Sequence, residues 1–115
     1  MSAQRMRRVD EAMRQVLGDA LAQDLKDPRV GFVTVTDVKT SPDLRHARVF
    51  VSVLGDPATQ EASLDGLRSA HGFLQARIAG ELRLKRTPEL AFELDTTAAR
   101  AARLEEILHE QEGRA

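Results

Sequence analysis

A chain of 115 residues with 42% hydrophobic and 30% charged side chains and a net charge of −1 has the composition of a compact domain, which excludes a disordered or fibrous protein. It contains no cysteine, so disulfide bridges and thiolate metal sites are excluded, and a reducing cytoplasm fits. The longest nearly apolar run, residues 49–54, is far too short to cross a bilayer, and no secretory signal is visible. We therefore expect a single cytoplasmic domain over residues 1–115, without a membrane segment.

The first part of the chain predicts a helix and then a β-hairpin. Apolar residues recur at steps of three and four from about Gln4 to Leu25, which is typical of an amphipathic helix, and Pro28 ends it. Two alternating, β-branched segments follow, "VGFVTVTDV" and "LRHARVFVSVL", and the Ser-Pro-Asp turn between them indicates that they pair. Along the second strand, one face carries Ala47, Val49, Val51 and Val53, and the other carries His46, Arg48, Phe50 and Ser52.

The rest of the chain predicts a second helical region, a third strand and a final helix. An apolar stripe from Leu64 to Leu82 marks the helical region, and "ELAFEL" alternates as a strand should. The residues from Asp95 to Thr97 form a helix-start signal, and the final helix runs from Ala98 to about Glu112. The predicted fold is therefore α+β, with the order αββααβ, a three-stranded sheet packed on helices, and a C-terminal helix.

A glycine in the middle of the second helical region suggests the class of domain. The order αββααβ, with a break between the paired helices, is that of a type II KH domain, whose GXXG loop clamps nucleic-acid backbone. This chain has no GXXG; Ala70, His71 and Gly72 stand in its place. We interpret them as an Ala-x-Gly kink in which Gly72 relaxes the backbone, although the pattern equally allows that Gly72 only lets helices pack closely.

Two groups of basic residues are candidates for RNA binding, because such side chains neutralise phosphates. The first group, around the entrance to the third strand, is Arg77, Arg83, Lys85 and Arg86, and the second, on the first helix, is Arg5, Arg7 and Arg8. Taken alone, either group is more typical of a solvated charged face than of a binding site. With four Phe and no Tyr or Trp, a base-stacking platform is largely missing, so we expect recognition of RNA backbone and shape.

An enzyme is a competing class that the sequence supports poorly. There is no GxxxxGK phosphate loop and no dinucleotide-binding fingerprint after a strand. The segment "HEQEG" that begins at His109 has Gly113 where a zinc site would need its second histidine. We therefore predict no catalytic residue, no metal site and no cofactor. A protein-binding module that docks through the hairpin edge or the last helix is a third interpretation.

Several separated motifs occur in a fixed order along nearly the whole chain. They are "RVDEAMRQVL" in the first helix, "DPRVGFVTVTDV" after it, "SPDLRHARVFVSV" in the hairpin, and "SAHGFLQARIAGELRLKRTPELAFELD" from the kink through the third strand. Together they resemble the bacterial ribosome-binding factor A family. The resemblance implies a KH-like domain that binds the free small (30S) ribosomal subunit late in assembly. There it would aid maturation and processing of 16S rRNA near its 5′ part and support growth in the cold.

The resemblance also sets the expected partners. They are the small subunit and its rRNA, with small-subunit proteins as further candidates, and the expected state is a monomer without cofactors. The alternative is a general KH-type RNA-binding or protein-docking module with no ribosome-specific role.

Overall fold

The computed structural model of the chain describes residues 3–112. Its helices and strands, in chain order, are α1 (Ala3–Gln23), β1 (Val33–Thr40), β2 (His46–Val53), α2 (Pro57–Ser69), α3 (His71–Glu81), β3 (Glu89–Leu94) and α4 (Thr97–Glu112). The predicted α+β fold and its αββααβ order with a C-terminal helix are confirmed. Residues 113–115, which follow the final helix, lie outside the described residues.

The three strands form a sheet of order β1-β2-β3. β1 and β2 pair antiparallel as a hairpin, whereas β3 lies parallel to β2. Parallel strands need a crossover connection, and α2 and α3 supply it. A bulge between Val35 and Asp37 interrupts the β1 ladder. At this bulge the hydroxyl of Thr36 donates a 2.5 Å hydrogen bond to the carboxylate of Asp95, just beyond β3.

The core lies where α1, α2 and α3 pack against the sheet. The predicted face of β2 (Ala47, Val49, Val51 and Val53) is buried in this core, which confirms the alternation read from the sequence. The large side chains that are fully buried with it include Met13, Leu17, Leu67, Leu74 and Ile78. Removing such a side chain from water contributes about 1.5–3 kcal/mol of stability, so these few residues supply much of the driving force for folding.

The opposite face of β2 is not uniformly exposed, because α4 covers part of it. The side chain of Phe50 is only 3% exposed. The guanidinium carbon of Arg103, on α4, lies 3.8 Å from the centroid of the Phe50 ring, an attractive cation–π geometry. Arg103 therefore buries an aromatic ring that strand alternation alone places away from the core.

The same arginine fastens α4 through two carboxylates. Its Nε donates to Asp37 at 2.8 Å and its Nη2 donates to Asp95 at 2.7 Å. Burial raises the pKa of the Asp95 carboxyl, but the hydrogen bonds from Thr36 and Arg103 outweigh burial and hold this pKa below its ordinary value of 3.8. Asp95 is thus charged at neutral pH and forms a partly buried ion pair with Arg103.

The helix break between α2 and α3 falls at Ala70, whose φ of −90° and ψ of 6° depart from helical values. Its N–H lies 3.1 Å from the carbonyl oxygen of Gly66 and 3.0 Å from that of Leu67, and its own carbonyl accepts from the N–H of Leu74 at 3.0 Å. Ala70 therefore closes one helix and opens the next. The predicted Ala-x-Gly kink is present.

The role predicted for Gly72 within the kink is wrong. Gly72 is an exposed residue of α3, and among the described glycines only Gly55 has a positive φ. A Cβ on Gly72 would meet no described atom within 4 Å outside its chain neighbours and the backbone of its own helix. Neither a special backbone conformation nor close packing inside the domain explains this glycine.

Close packing depends on Gly66 instead. This residue is buried in α2, where a Cβ would lie 2.7 Å from Cγ2 of Val30 and 3.4 Å from Cβ of Arg29. Both neighbours belong to the segment that joins α1 to β1. Gly66 thus lets this segment lie directly against the helix.

We predict opposite effects of alanine at the two glycines. Gly66→Ala should lower the free energy of unfolding by about 1–3 kcal/mol, because the added methyl displaces Val30 in a packed region. Gly72→Ala should leave this free energy unchanged or raise it by at most about 1 kcal/mol, because alanine favours the helix and meets open space. Urea unfolding of both variants measures the difference, and equal losses would show that Gly72 is sterically constrained.

Candidate nucleic-acid interface

A shallow groove of about 500 Å³ opens at one end of the sheet. The hairpin turn, the start of α3 and the segment entering β3 form its walls. Its lining residues are Arg45, His46, His71, Gln75, Arg86, Thr87 and Glu89. Four of these seven side chains are basic and one is a carboxylate, so the groove favours an anionic ligand.

The hairpin turn holds Arg45 in a fixed backbone position. The carboxylate of Asp43 accepts hydrogen bonds from the N–H of Arg45 at 3.0 Å and from the hydroxyl of Ser41 at 2.6 Å. Both bonds lower the pKa of Asp43, and the bond from Ser41 has the larger effect. The carbonyl of Arg45 accepts the N–H of Glu89 at 2.9 Å. Leu44, between Asp43 and Arg45, has a φ of 61°, which is rare for a residue with a branched side chain. Burial of the Leu44 side chain holds this backbone conformation. The turn therefore presents the Arg45 side chain from a rigid base.

The kink supplies His71 with a defined tautomer. Its Nδ1 lies 2.8 Å from the carbonyl oxygen of Arg68, and since a carbonyl can only accept, Nδ1 carries the proton and donates. In the neutral ring, Nε2 is then an acceptor suited to a ribose 2′-hydroxyl, and in the protonated ring it becomes a donor suited to phosphate. His71, the middle residue of the predicted kink, thus lies in the groove with a ring nitrogen available for a ligand.

The groove brings together only two of the predicted residues, His71 and Arg86. Arg83 and Lys85 are exposed on the extended segment between α3 and β3, but they do not line the groove. Arg77 forms a close ion pair with Asp24 and a second at 3.4 Å with Glu81. Two carboxylates within the domain therefore balance the charge of Arg77.

The second basic group lies on a different surface. Arg5 and Arg8 are exposed on α1 and Arg7 is half-buried. Arg7 and Arg8 line a separate shallow depression on this helix, and Arg7 also borders a cleft between α1, β1 and α4. The two predicted basic groups do not form one continuous site.

Sequence reasoning missed Arg45 and His46. They stand at the start of β2, and the parallel pairing of His46 with Glu89 brings them beside the entrance to β3. The available signal was the basic pair one residue after the Ser-Pro-Asp turn. Using it required knowing that the turn and the third strand's entrance share one end of the sheet.

Two other kinds of site are not found in the part of the chain that the structure describes. Among the described side chains, no group of three His, Asp or Glu residues lies close enough together to hold a metal ion. No helix in this part of the chain has the length and apolar character needed to cross a membrane.

The fold and the groove together define the class of protein. An N-terminal helix, a hairpin and a kinked helix pair leading to a parallel third strand make a KH-like domain of type II. Within that class, the family described as ribosome-binding factor A matches residues 5–108 of the chain. The chain belongs to the ribosome-binding factor A family, which confirms the resemblance seen in its motifs.

Solved structures agree with this assignment. The chain is 37% identical to a candidate ribosome-binding factor A from Thermotoga maritima solved by NMR, with 84% of this chain and 92% of that chain covered and a TM-score of 0.74. It is 28% identical to ribosome-binding factor A from Thermus thermophilus in a crystal structure, with 77% and 94% covered and a TM-score of 0.70. A homology model of the Thermus thermophilus protein, fitted into a cryo-EM map of its complex with the 30S subunit, is 29% identical, with 73% and 88% covered and a TM-score of 0.60.

Proposed function

We propose that this protein binds the free small ribosomal subunit late in its assembly. There it assists the maturation and processing of 16S rRNA near its 5′ region and supports growth in the cold. Family membership supports the ribosomal role, and the Thermus thermophilus relative that was fitted into a complex with the 30S subunit supports the choice of subunit. The observation that carries the RNA contact is the basic groove beside the helix kink.

The chemistry of the groove suits RNA backbone. Arg45 and Arg86 are exposed side chains whose guanidinium groups can each donate two hydrogen bonds to a phosphate. None of the seven lining residues is Phe, Tyr or Trp, so the groove offers no ring for base stacking beyond the small imidazoles of His46 and His71. Binding should therefore depend on phosphate charge and RNA shape, and little on base identity.

The exposed face of α3 next to the groove supports a close approach by the ligand. Gly72 and Gly80 both have open space where a Cβ would stand, and Ala76 and Ala79 are exposed beside them. A glycine inside a helix costs about 1 kcal/mol relative to alanine, and no packing inside the domain accounts for these two. A ligand backbone lying against this short-side-chain surface would account for them.

We predict that neutralising the groove weakens subunit binding. Arg45→Gln combined with Arg86→Gln should lower the affinity for free small subunits by about tenfold or more and reduce the slope of log affinity against log salt by about two, one for each lost phosphate contact. Both side chains are exposed, so thermal stability should change little. Cosedimentation over a range of salt concentrations measures both quantities.

The matched control removes the same charge elsewhere. Lys26→Gln combined with Arg100→Gln changes two exposed basic residues that do not line the groove, and its affinity should stay near that of the native chain. If the two double variants bind alike, the groove is not the contact. A third variant, Arg83→Gln with Lys85→Gln, tests whether the contact extends along the segment entering β3.

We predict that bulk at Gly72 separates binding from folding. Gly72→Val should lower subunit affinity by about tenfold or more, because the side chain blocks the approach of RNA backbone, whereas Gly72→Ala should have a smaller effect. Unfolding free energies of both variants should stay within about 1 kcal/mol of the native value, because a Cβ at this position meets no neighbour. Normal binding by a folded Gly72→Val variant would show that no ligand lies against this face.

The maturation role is tested in cells that lack their own ribosome-binding factor A. We predict that cells given the native chain or the Lys26→Gln, Arg100→Gln control process the 5′ extension of precursor 16S rRNA, as read by primer extension, and grow again at low temperature. The Arg45→Gln, Arg86→Gln variant should leave the precursor at matched expression. Full processing by that variant would contradict the role proposed for the groove.

A further inference from the structure

The C-terminal helix α4 is amphipathic, but its apolar face does not lie against the domain. Leu104, Ile107 and Leu108, here called the α4 stripe, share one face of the helix and are 55%, 37% and 53% exposed. No α4 residue belongs to the buried core that the described residues form. A surface helix ordinarily buries its apolar face against the protein, so the exposed α4 stripe needs an explanation.

Polar contacts fix α4 in this orientation. The side chain of Arg103 is 11% exposed and bridges Asp37 and Asp95, which lie on and next to the sheet. Lys39 pairs with Glu106 at 2.5 Å. Turning the helix to bury the α4 stripe would separate Arg103 from two carboxylates and uncover Phe50. The outward direction of the stripe is therefore built into the fold.

The α4 stripe continues into a cleft of about 610 Å³ between α1, β1 and α4. Ile107 belongs to both, and the other apolar residues lining the cleft include Met6, Val38 and Pro42. A row of exposed apolar side chains that leads into a cleft with both apolar and charged walls has the shape of a protein-docking surface, with anchors at its edge and a recess for the partner.

Charge decides which partner fits this surface. Glu105 and Glu106 border the α4 stripe, and the cleft is lined by Asp10, Glu11, Asp37 and Glu106 against Arg7, Lys39 and Arg103. Together with Glu105, this surface holds five carboxylates and three basic groups, a net charge of −2. This charge repels RNA phosphates, and it also opposes a second copy of the chain, which would present the same acidic border. It complements a basic protein, and proteins that bind RNA are typically basic.

We propose that the α4 stripe and its cleft dock a basic protein of the small ribosomal subunit, through an apolar helix or loop flanked by lysine and arginine. The proposal rests on the small subunit being the target of this protein. The contact is distinct from the RNA groove, since none of its residues lines that groove. Its apolar part should tolerate salt that weakens the groove contact.

The test compares intact small subunits with protein-free 16S rRNA. Leu104→Gln combined with Leu108→Gln should lower the affinity for intact subunits by about tenfold while leaving the affinity for the bare rRNA at the native value. Both residues are more than half exposed, so the unfolding temperature should be nearly unchanged. The matched control, Ala98→Gln with Ala102→Gln, changes two exposed α4 residues away from the stripe and should bind both targets normally.

A photo-crosslink identifies the occupant. With Leu108 replaced by p-benzoylphenylalanine, irradiation of the complex with purified subunits should yield a covalent adduct with a basic subunit protein, identified by mass spectrometry. An adduct with rRNA or with a second copy of the chain overturns the proposal, as does an equal loss of affinity for intact subunits and bare rRNA. Unchanged affinity of the stripe variant, while the native chain binds, also overturns it and leaves the proposed function standing. If the native chain binds no small subunits, the proposed function fails and this docking surface fails with it.

Discussion

Parallel pairing of β3 with β2 is the constraint on which the remaining structure depends. It places His46 opposite Glu89, so both strands begin at the same end of the sheet. The chain leaves β2 at the other end and has to return before β3 can start, and α2 and α3 make that return. The hairpin turn, the start of α3 and the segment entering β3 consequently line one groove. The candidate RNA site thus follows from the strand order, and three stretches of chain that are far apart in sequence form it.

The second face of the sheet follows a different principle. The first face is covered by three helices through apolar contact, whereas α4 is held on the other face by Arg103 and its two carboxylates. Such a contact is directional, because hydrogen bonds to Asp37 and Asp95 fix which side of α4 faces the sheet. If apolar burial alone held α4 on the sheet, the helix could take the orientation in which Leu104 and Leu108 are buried. The charged attachment therefore explains how a helix can keep an apolar stripe in solvent.

The limits of sequence reasoning follow from these two modes of packing. Element order, the buried face of β2 and the kink at Ala70 could be predicted because each depends on local periodicity or on a short motif. The burial of Phe50 could not, since it depends on Arg103, which is 53 positions further along and looks like one charge among many on a polar helix. The ion pair of Arg77 could not be predicted either, because nothing near Arg77 in sequence shows that Asp24 will balance its charge. The glycines show the same limit within a single residue type: Val30 packs against Gly66 from a distant loop and leaves no room for a methyl group, while nothing in the described part of the domain approaches Gly72.

The two proposed surfaces would make binding depend on the state of the subunit. The proposed RNA groove would attract any RNA backbone, so alone it would hold the protein on many structured RNAs with modest affinity and steep salt dependence. The α4 stripe would add an apolar contact only where a basic protein already stands at the right distance from the RNA. Two modest contacts on one rigid domain strengthen each other when both targets are present and correctly spaced, and not otherwise. Neither bare rRNA nor a free ribosomal protein meets that condition. A particle on which rRNA and protein have already assembled does, and this is the physical basis on which a domain of this size could distinguish a late assembly intermediate from its parts.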